Sequence, residues 1–239
     1  MNITYSFFLT LISSISTLIG TIVIFFKYKN IDKIIVSSLS FSSSVMLFIS
    51  LFDLMPKSIK LFYLNYNIFI TIVLFLIFFI IGMLLILFIN KILPSSNKLY
   101  KVGLISMIGL ILHNIPEGIL TFITSSYDKK LGLSLAIAIC MHNIPEGIAI
   151  SIPIYYSSKS KFKAIFYTFI SSISELFGAC ITYLFLYDYI NDIIIAILLS
   201  LVCGIMSYIS LFELIPESIK NKKLFILFFL LGFLFMVFI

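Results

Sequence analysis

Arginine is absent from this 239-residue chain, histidine occurs twice, and aspartate and glutamate together number ten. Charged residues make up 11% of the sequence, against about 25% in a typical soluble domain. Hydrophobic residues reach 62% and the mean hydropathy is +1.21. So little charge excludes an ordinary soluble domain and points to an all-α polytopic membrane protein. The basic pI near 9.1 comes from lysine alone, and the lysines gather in short turns. That balance reads as membrane topology, with the lipid bilayer as a partner and no nucleic acid. The three cysteines, Cys140, Cys180 and Cys203, are dispersed through apolar stretches. They exclude a disulfide framework and an all-cysteine zinc cage, and read as small apolar fillers.

What is present is a series of apolar runs, each near the roughly 20 residues that a helix needs to cross a bilayer. Eight spans are predicted, at 3–26, 34–54, 67–90, 102–124, 131–154, 164–187, 193–214 and 224–239, forming one transmembrane domain over 1–239. The first run has no lysine before it, is too long for a signal peptide and is followed by no small-residue cleavage site, so it reads as a span. Lys27, Lys29, Lys33, Lys91, Lys98, Lys101, Lys159, Lys161, Lys163, Lys220, Lys222 and Lys223 lie in the turns after odd-numbered spans. The opposite side holds only Lys57, Lys60, Lys129 and Lys130, with Asp188 and Asp192 in one of its turns. Lysine-rich turns stay in the cytoplasm, which predicts a multi-pass protein of the cell membrane with both termini outside.

Two repeats organise the chain. His113-Asn114-Ile115-Pro116-Glu117-Gly118-Ile119 recurs unchanged as His142-Asn143-Ile144-Pro145-Glu146-Gly147-Ile148 on the next span. Leu39–Lys60, LSFSSSVMLFISLFDLMPKSIK, matches Leu199–Lys220, LSLVCGIMSYISLFELIPESIK, at 12 of 22 positions. An odd number of crossings separates each pair, so the members run in opposite directions. Span two pairs with seven and four with five. Chain order within the outer units then selects a 3+2+3 arrangement with inverted repeats, a signature of secondary transporters.

The doubled phrase carries the candidate chemistry. On a helix its His and Glu lie about 40° apart and its Asn about 100° from the His. The proline lacks the N–H that would bond the carbonyl four residues back, which frees the carbonyls of Leu112 and Met141. Glu117, Glu146 and Glu175 lie deep in spans four, five and six with no lysine at that depth. Such carboxylates each cost about 2.5–3.5 kcal/mol to insert. A divalent cation neutralises them with ligands already in place. Imidazole with carboxylate suits Zn²⁺, Fe²⁺, Mn²⁺ or Co²⁺ better than Mg²⁺ or Ca²⁺. His113, Asn114, Glu117, His142, Asn143, Glu146 and Glu175 exceed the needs of one tetrahedral ion, which points to two adjacent sites bridged by Glu117 and Glu146. Gly178, beyond Glu175, permits close helix approach. Asp53 and Glu213, near Pro56 and Pro216, fit either a pathway mouth or a plain membrane interface. Met46 reads as a core residue or a soft ligand, and the serines from Ser37 to Ser44 as close helix packing.

These residues carry a family likeness. His-Asn-x-Pro-Glu-Gly on span four, followed on span five by His-x-x-Pro-Glu-Gly, resembles the ZIP (Zrt-, Irt-like) metal transporters, most of all the ZupT/GufA-like branch. The likeness covers nearly the whole chain. It implies a transporter rather than an enzyme, moving divalent metal into the cytoplasm, mainly zinc, with iron, manganese and cadmium as further substrates. No resident cofactor is expected. It implies a two-metal centre on spans four to six and an elevator-like motion of that unit against spans two, three, seven and eight. His113, Asn114, Glu117, His142, Asn143, Glu146 and Glu175 match its ligands, and Met46 matches a span-two methionine that contacts metal. A homodimer stays open as the assembly. The loop Asn90–Lys101 has no histidine, unlike the His-rich loop of many relatives. Two other classes compete: an intramembrane zinc-dependent hydrolase, although no His-Glu-x-x-His is present, and a channel or proton-coupled carrier of another solute.

Overall fold

The computed structural model describes residues 2–187 and 189–238; Asp188 and the predicted end of the last span at Ile239 lie outside them. The chain is an all-α polytopic membrane protein. Its long helices are α1 (Ile3–Phe25), α2 (Ile31–Tyr63), α3 (Ile68–Ile92), α4 (Lys98–Tyr127), α5 (Lys129–Ser158), α6 (Lys161–Leu186), α7 (Asp192–Ser218) and α8 (Lys222–Val237). Among the described residues, the first seven are long and apolar enough to cross a membrane. The last has 16 residues.

The turns are short because capping residues sit in them. The side chains of Asn30, Asn67, Asn97, Asp128, Ser160, Asn191 and Asn221 each accept a backbone N–H from the first turn of the helix that follows. Such a cap contributes about 1 kcal/mol. Asp128 alone joins α4 to α5, its Oδ1 accepting from the N–H groups of Lys130 (2.8 Å) and Leu131 (3.0 Å).

Burial follows the logic of a lipid solvent. On α1 the buried face is Ser6, Thr10, Ser13 and Thr17, while Phe8, Leu11, Ile12, Ile15 and Ile19 are exposed. Lipid is as apolar as leucine, so small and hydroxylated residues gain more by packing helix against helix. The serines of α2 behave likewise: all six from Ser37 to Ser44 are buried. Ser42 Oγ donates to the Pro145 carbonyl on α5 (2.6 Å) and Ser44 Oγ to Phe229 on α8 (2.6 Å). In membranes such bonds contribute about 0.6 kcal/mol each.

The helices fall into two groups by packing. α1, α4, α5 and α6 pack on one another, as do α2, α3, α7 and α8. The groups meet where α2 crosses α5 and α7 crosses α4. α2 and α7 both run past the predicted span ends, residues 54 and 214, and end at Tyr63 and Ser218. Each contains a π turn, at Ser50–Leu54 and Ile209–Leu214, just before Pro56 and Pro216. The wider turn takes up the clash of the proline ring with the carbonyl four residues back, so the helix bends its ladder rather than stopping. By contrast α4 and α5 run as unbroken α-helices of 30 residues each through Pro116 and Pro145.

Candidate metal centre

Six of the seven candidate polar ligands come from the doubled phrase at the middles of α4 and α5, and the seventh from α6. The glycines that end the phrase set the approach of these helices. A Cβ on Gly118 would overlap the Glu175 carbonyl on α6, and one on Gly147 would overlap the Thr17 carbonyl on α1. Gly178 likewise lies against the Ile115 carbonyl. The close contacts pull α1, α4, α5 and α6 around one polar centre, and all seven side chains are buried there.

Four of them form one cluster. His113 Nε2 lies 3.2 Å from Glu117 Oε1 and 3.1 Å from Glu146 Oε1, and His142 Nε2 lies 2.9 Å from Glu117 Oε1. His113, His142 and Glu146 offer ligand atoms that all lie within 4.8 Å of one another. Ligand atoms about 2.0–2.1 Å from a tetrahedral zinc stand about 3.3 Å apart. The three His–Glu spacings are close to that value, while the His113, His142 and Glu146 group, within 4.8 Å, would have to contract by up to about 1.5 Å to share one ion.

The rival account is a set of structural His–Glu hydrogen bonds between helices. Its weakness is that much of the cluster is not hydrogen-bonded. Among the described residues, neither nitrogen of His113, neither oxygen of Glu146, nor Glu117 Oε2 has a hydrogen-bond partner. The His113 contacts are at ion-pair distance but off the line of a hydrogen bond. Buried polar groups are ordinarily satisfied, and an unsatisfied buried carboxylate is costly. A divalent cation would satisfy the free oxygens of Glu117 and Glu146 together with one of the two His113 nitrogens.

The other three candidates stand beside the cluster. Asn114 Nδ2 donates to the Ser171 carbonyl on α6 (2.9 Å), and Asn143 Nδ2 donates to the Ser13 carbonyl on α1 (2.9 Å). With both amide nitrogens engaged, both Oδ1 atoms are acceptors without a partner among the described residues. Glu175 is fully engaged elsewhere: Oε1 accepts from Ser13 Oγ, and Oε2 accepts from Asn143 Nδ2 (3.0 Å). Ser171, one turn from Glu175, serves Asn114 instead. Ser13 is absent from the sequence-derived set. Its only sequence signal is the polar stripe Ser6, Thr10, Ser13, Thr17 at helical spacing. Met46 lies fully buried in the apolar packing of α2, with Val45 and Ile49.

A cavity of about 480 Å³ reaches this cluster between the two helix groups. Pro116, Glu117 and His142 form its floor, Ile49, Leu120, Ile139, Leu199 and Val202 its walls, and Asp53, Lys57 and Lys60 its mouth. Asp53 thus lines the cavity. Glu213 lies at the other end of the bundle, accepting from Asn90 Nδ2 (2.7 Å). There Lys98 on α4 reaches Glu217 on α7 at 2.6 Å, and Lys220 reaches the same carboxylate at 2.5 Å. The centre is therefore open toward Lys57 and Lys60, and cross-linked by polar contacts at the end where most lysines gather.

Comparison with known proteins gives a consistent result. The family model described as ZIP Zinc transporter matches residues 95–239. The zinc transporter ZupT of Oceanobacillus iheyensis is 36% identical over 247 residues, covering 93% of this chain and 91% of that protein. The zinc transporter ZupT of Clostridium perfringens is 34% identical, covering 92% and 88%. The zinc transporter ZupT of Streptococcus mutans is 36% identical, covering 91% and 89%.

Proposed function

The chain belongs to the ZIP zinc transporter family, in its ZupT-like branch, and on that premise we propose that it imports divalent metal through the buried His–Glu cluster. The family is one of transporters rather than enzymes. Zinc is the principal substrate, with iron, manganese and cadmium as further substrates. One observation carries the reading: a buried cluster of imidazoles and carboxylates, several of whose atoms have no hydrogen-bond partner among the described residues, reached through Glu117 and His142 by a cavity.

The ion passes from the cavity to His113, His142, Glu117 and Glu146. A second position uses Asn114, Asn143 and Glu175, with Glu117 and Glu146 as bridges. Glu175 releases Ser13 and Asn143 to take part, and Met46 approaches from α2 as a soft contact. Twelve of the sixteen lysines lie at the end opposite Lys57 and Lys60, which supports a cytoplasmic position for that end and an outside position for both termini at the cell membrane. The cavity then opens outward and the direction of transport is inward.

All eight helices form one transmembrane domain in a 3+2+3 inverted repeat, in which α1 to α3 mirror α6 to α8 and α4 mirrors α5. The packing supports this. Under that exchange the contact of α3 with α7 becomes that of α8 with α2, α4 with α6 becomes α5 with α1, and α2 with α5 becomes α7 with α4, all of which occur. Glycine positions agree: Gly82 of α3 lies against the Leu201 carbonyl, and Gly232 of α8 lies against the Phe41 carbonyl. Phe41 and Leu201 are equivalent in the aligned repeat. An elevator-like cycle follows, in which α1, α4, α5 and α6 slide as a unit against the other four helices. The second protomer of a homodimer would hold the static group in place.

The test is zinc uptake into proteoliposomes carrying an internal zinc dye, comparing the wild type with Glu117→Ala and Glu146→Ala. Saturable uptake, lost in both variants and competed by Fe²⁺, Mn²⁺ and Cd²⁺ more than by Mg²⁺ and Ca²⁺, is the expected result. Uptake no greater than that of empty liposomes, from protein with intact helical signal, would refute it.

A further inference from the structure

Lysine is an unexpected residue at the mouth of a cation pathway. The cavity that leads to Glu117 and His142 is rimmed by three charged side chains of α2: Asp53, Lys57 and Lys60. They fall at positions i, i+4 and i+7, on one face of the helix. Lys57 Nζ sits 2.7 Å from one oxygen of Asp53 and 2.9 Å from the other, so it covers the one acid of the rim among the described residues. Among the described residues the rim carries a net charge of +1, which lowers the local concentration of any incoming dication.

The fold does not demand this lysine. The Lys57 side chain is 51% exposed and Asp53 38% exposed, and an exposed i,i+4 pair adds little stability. The repeat gives an internal control. LFDLMPKSIK on α2 and LFELIPESIK on α7 carry the same charges at their first and last charged positions and differ in charge at one place only, Lys57 against Glu217. The same ten-residue pattern, with a π turn before the same proline, thus forms with either sign at that position. At the opposite end Glu217 joins Lys98 of α4 to α7, while at the rim Lys57 has its ion pair with Asp53 of its own helix. The sign at this position therefore distinguishes the two ends of the pathway.

We propose that Lys57 sets the apparent affinity of the transporter for free divalent cations: it covers Asp53 and, with Lys60, makes the mouth repel dications. This rests on the transport reading above. It adds a residue that touches no ion in the buried cluster and controls admission to it. Because the repulsion scales with ionic charge, the same lysine penalises a dication twice as strongly as a monovalent ion.

The magnitude follows from Coulomb's law in a water-filled mouth. One unit charge about 10 Å from a dication changes its local concentration about threefold at 0.01 M ionic strength and about 1.5-fold at 0.15 M. Lys57→Gln removes one charge. Lys57→Glu shifts the charge by two and reproduces the residue found at 217. The experiment is initial zinc uptake by intact cells producing the full chain, with sucrose holding osmolarity while ionic strength is varied. KM is expected to fall about threefold in Lys57→Gln and about sevenfold in Lys57→Glu at 0.01 M, and only about 1.5-fold and twofold at 0.15 M, with Vmax unchanged. Wild-type uptake with a KM unaltered in both variants, or lowered equally at both ionic strengths, overturns this inference alone. A change in Vmax without one in KM does the same. No uptake by the wild type overturns the transport reading and this inference with it.

Discussion

Replacing Glu146 by glutamine should make the metal-free protein no less stable while removing most of the stability that zinc confers. Glu146 is fully buried, and among the described residues neither carboxylate oxygen has a hydrogen-bond partner; His113 Nε2 lies 3.1 Å from Oε1. An unsatisfied buried polar group costs about 1–3 kcal/mol, and more when charged. Glutamine keeps the shape and discards the charge, so the metal-free protein gains stability or holds level. The zinc-bound state moves the other way. A charge-assisted contact contributes about 2 kcal/mol, which is about a thirtyfold weaker dissociation constant. At a zinc concentration 100 times the wild-type dissociation constant, bound metal stabilises the wild type by about 2.7 kcal/mol. The same concentration is then only about three times the variant's constant and stabilises it by about 0.9 kcal/mol. Thermal unfolding in detergent, with chelator and with a zinc titration, reads both quantities. If the variant melts well below the wild type in chelator, or if zinc stabilises both equally, Glu146 is a structural hydrogen-bonding group and the argument from its unpaired oxygens fails.

Two further outcomes follow from the packing of the centre. Gly118→Val should abolish folding or transport, because its Cβ alone would meet the Glu175 carbonyl of α6; retained uptake at the wild-type rate would show that α4 and α6 do not approach so closely. Ser13→Ala should slow zinc uptake several-fold by removing a donor from Glu175, whereas Ser6→Ala, on the same buried stripe of α1, should leave the rate unchanged; equal effects would reduce Ser13 to packing.

Much of the molecule is determined by sequence alone. Scarce charge forces burial in lipid, and lipid forces the backbone to satisfy itself within helices, so an all-α polytopic chain follows from composition. The doubled phrase places an imidazole and a carboxylate one helical turn apart on adjacent helices, and that local geometry accounts for the His113, Glu117, His142 and Glu146 cluster. What only the tertiary structure decided concerns partners on helices far apart in the chain. Ser13 and Glu175 are separated by 162 positions, and a hydropathy profile averages over the circumference of α1 where the serine stripe lies. Glu175 looked equivalent to the other two deep glutamates, yet it is held by Ser13 and Asn143 while Glu146 has no hydrogen-bond partner. Lys57 and Lys60 looked like ordinary turn lysines until α4, α5 and α7 closed a cavity against α2. Local spacing selects which side chains share a helix face; the packing of one face on another selects which of them stay unpaired.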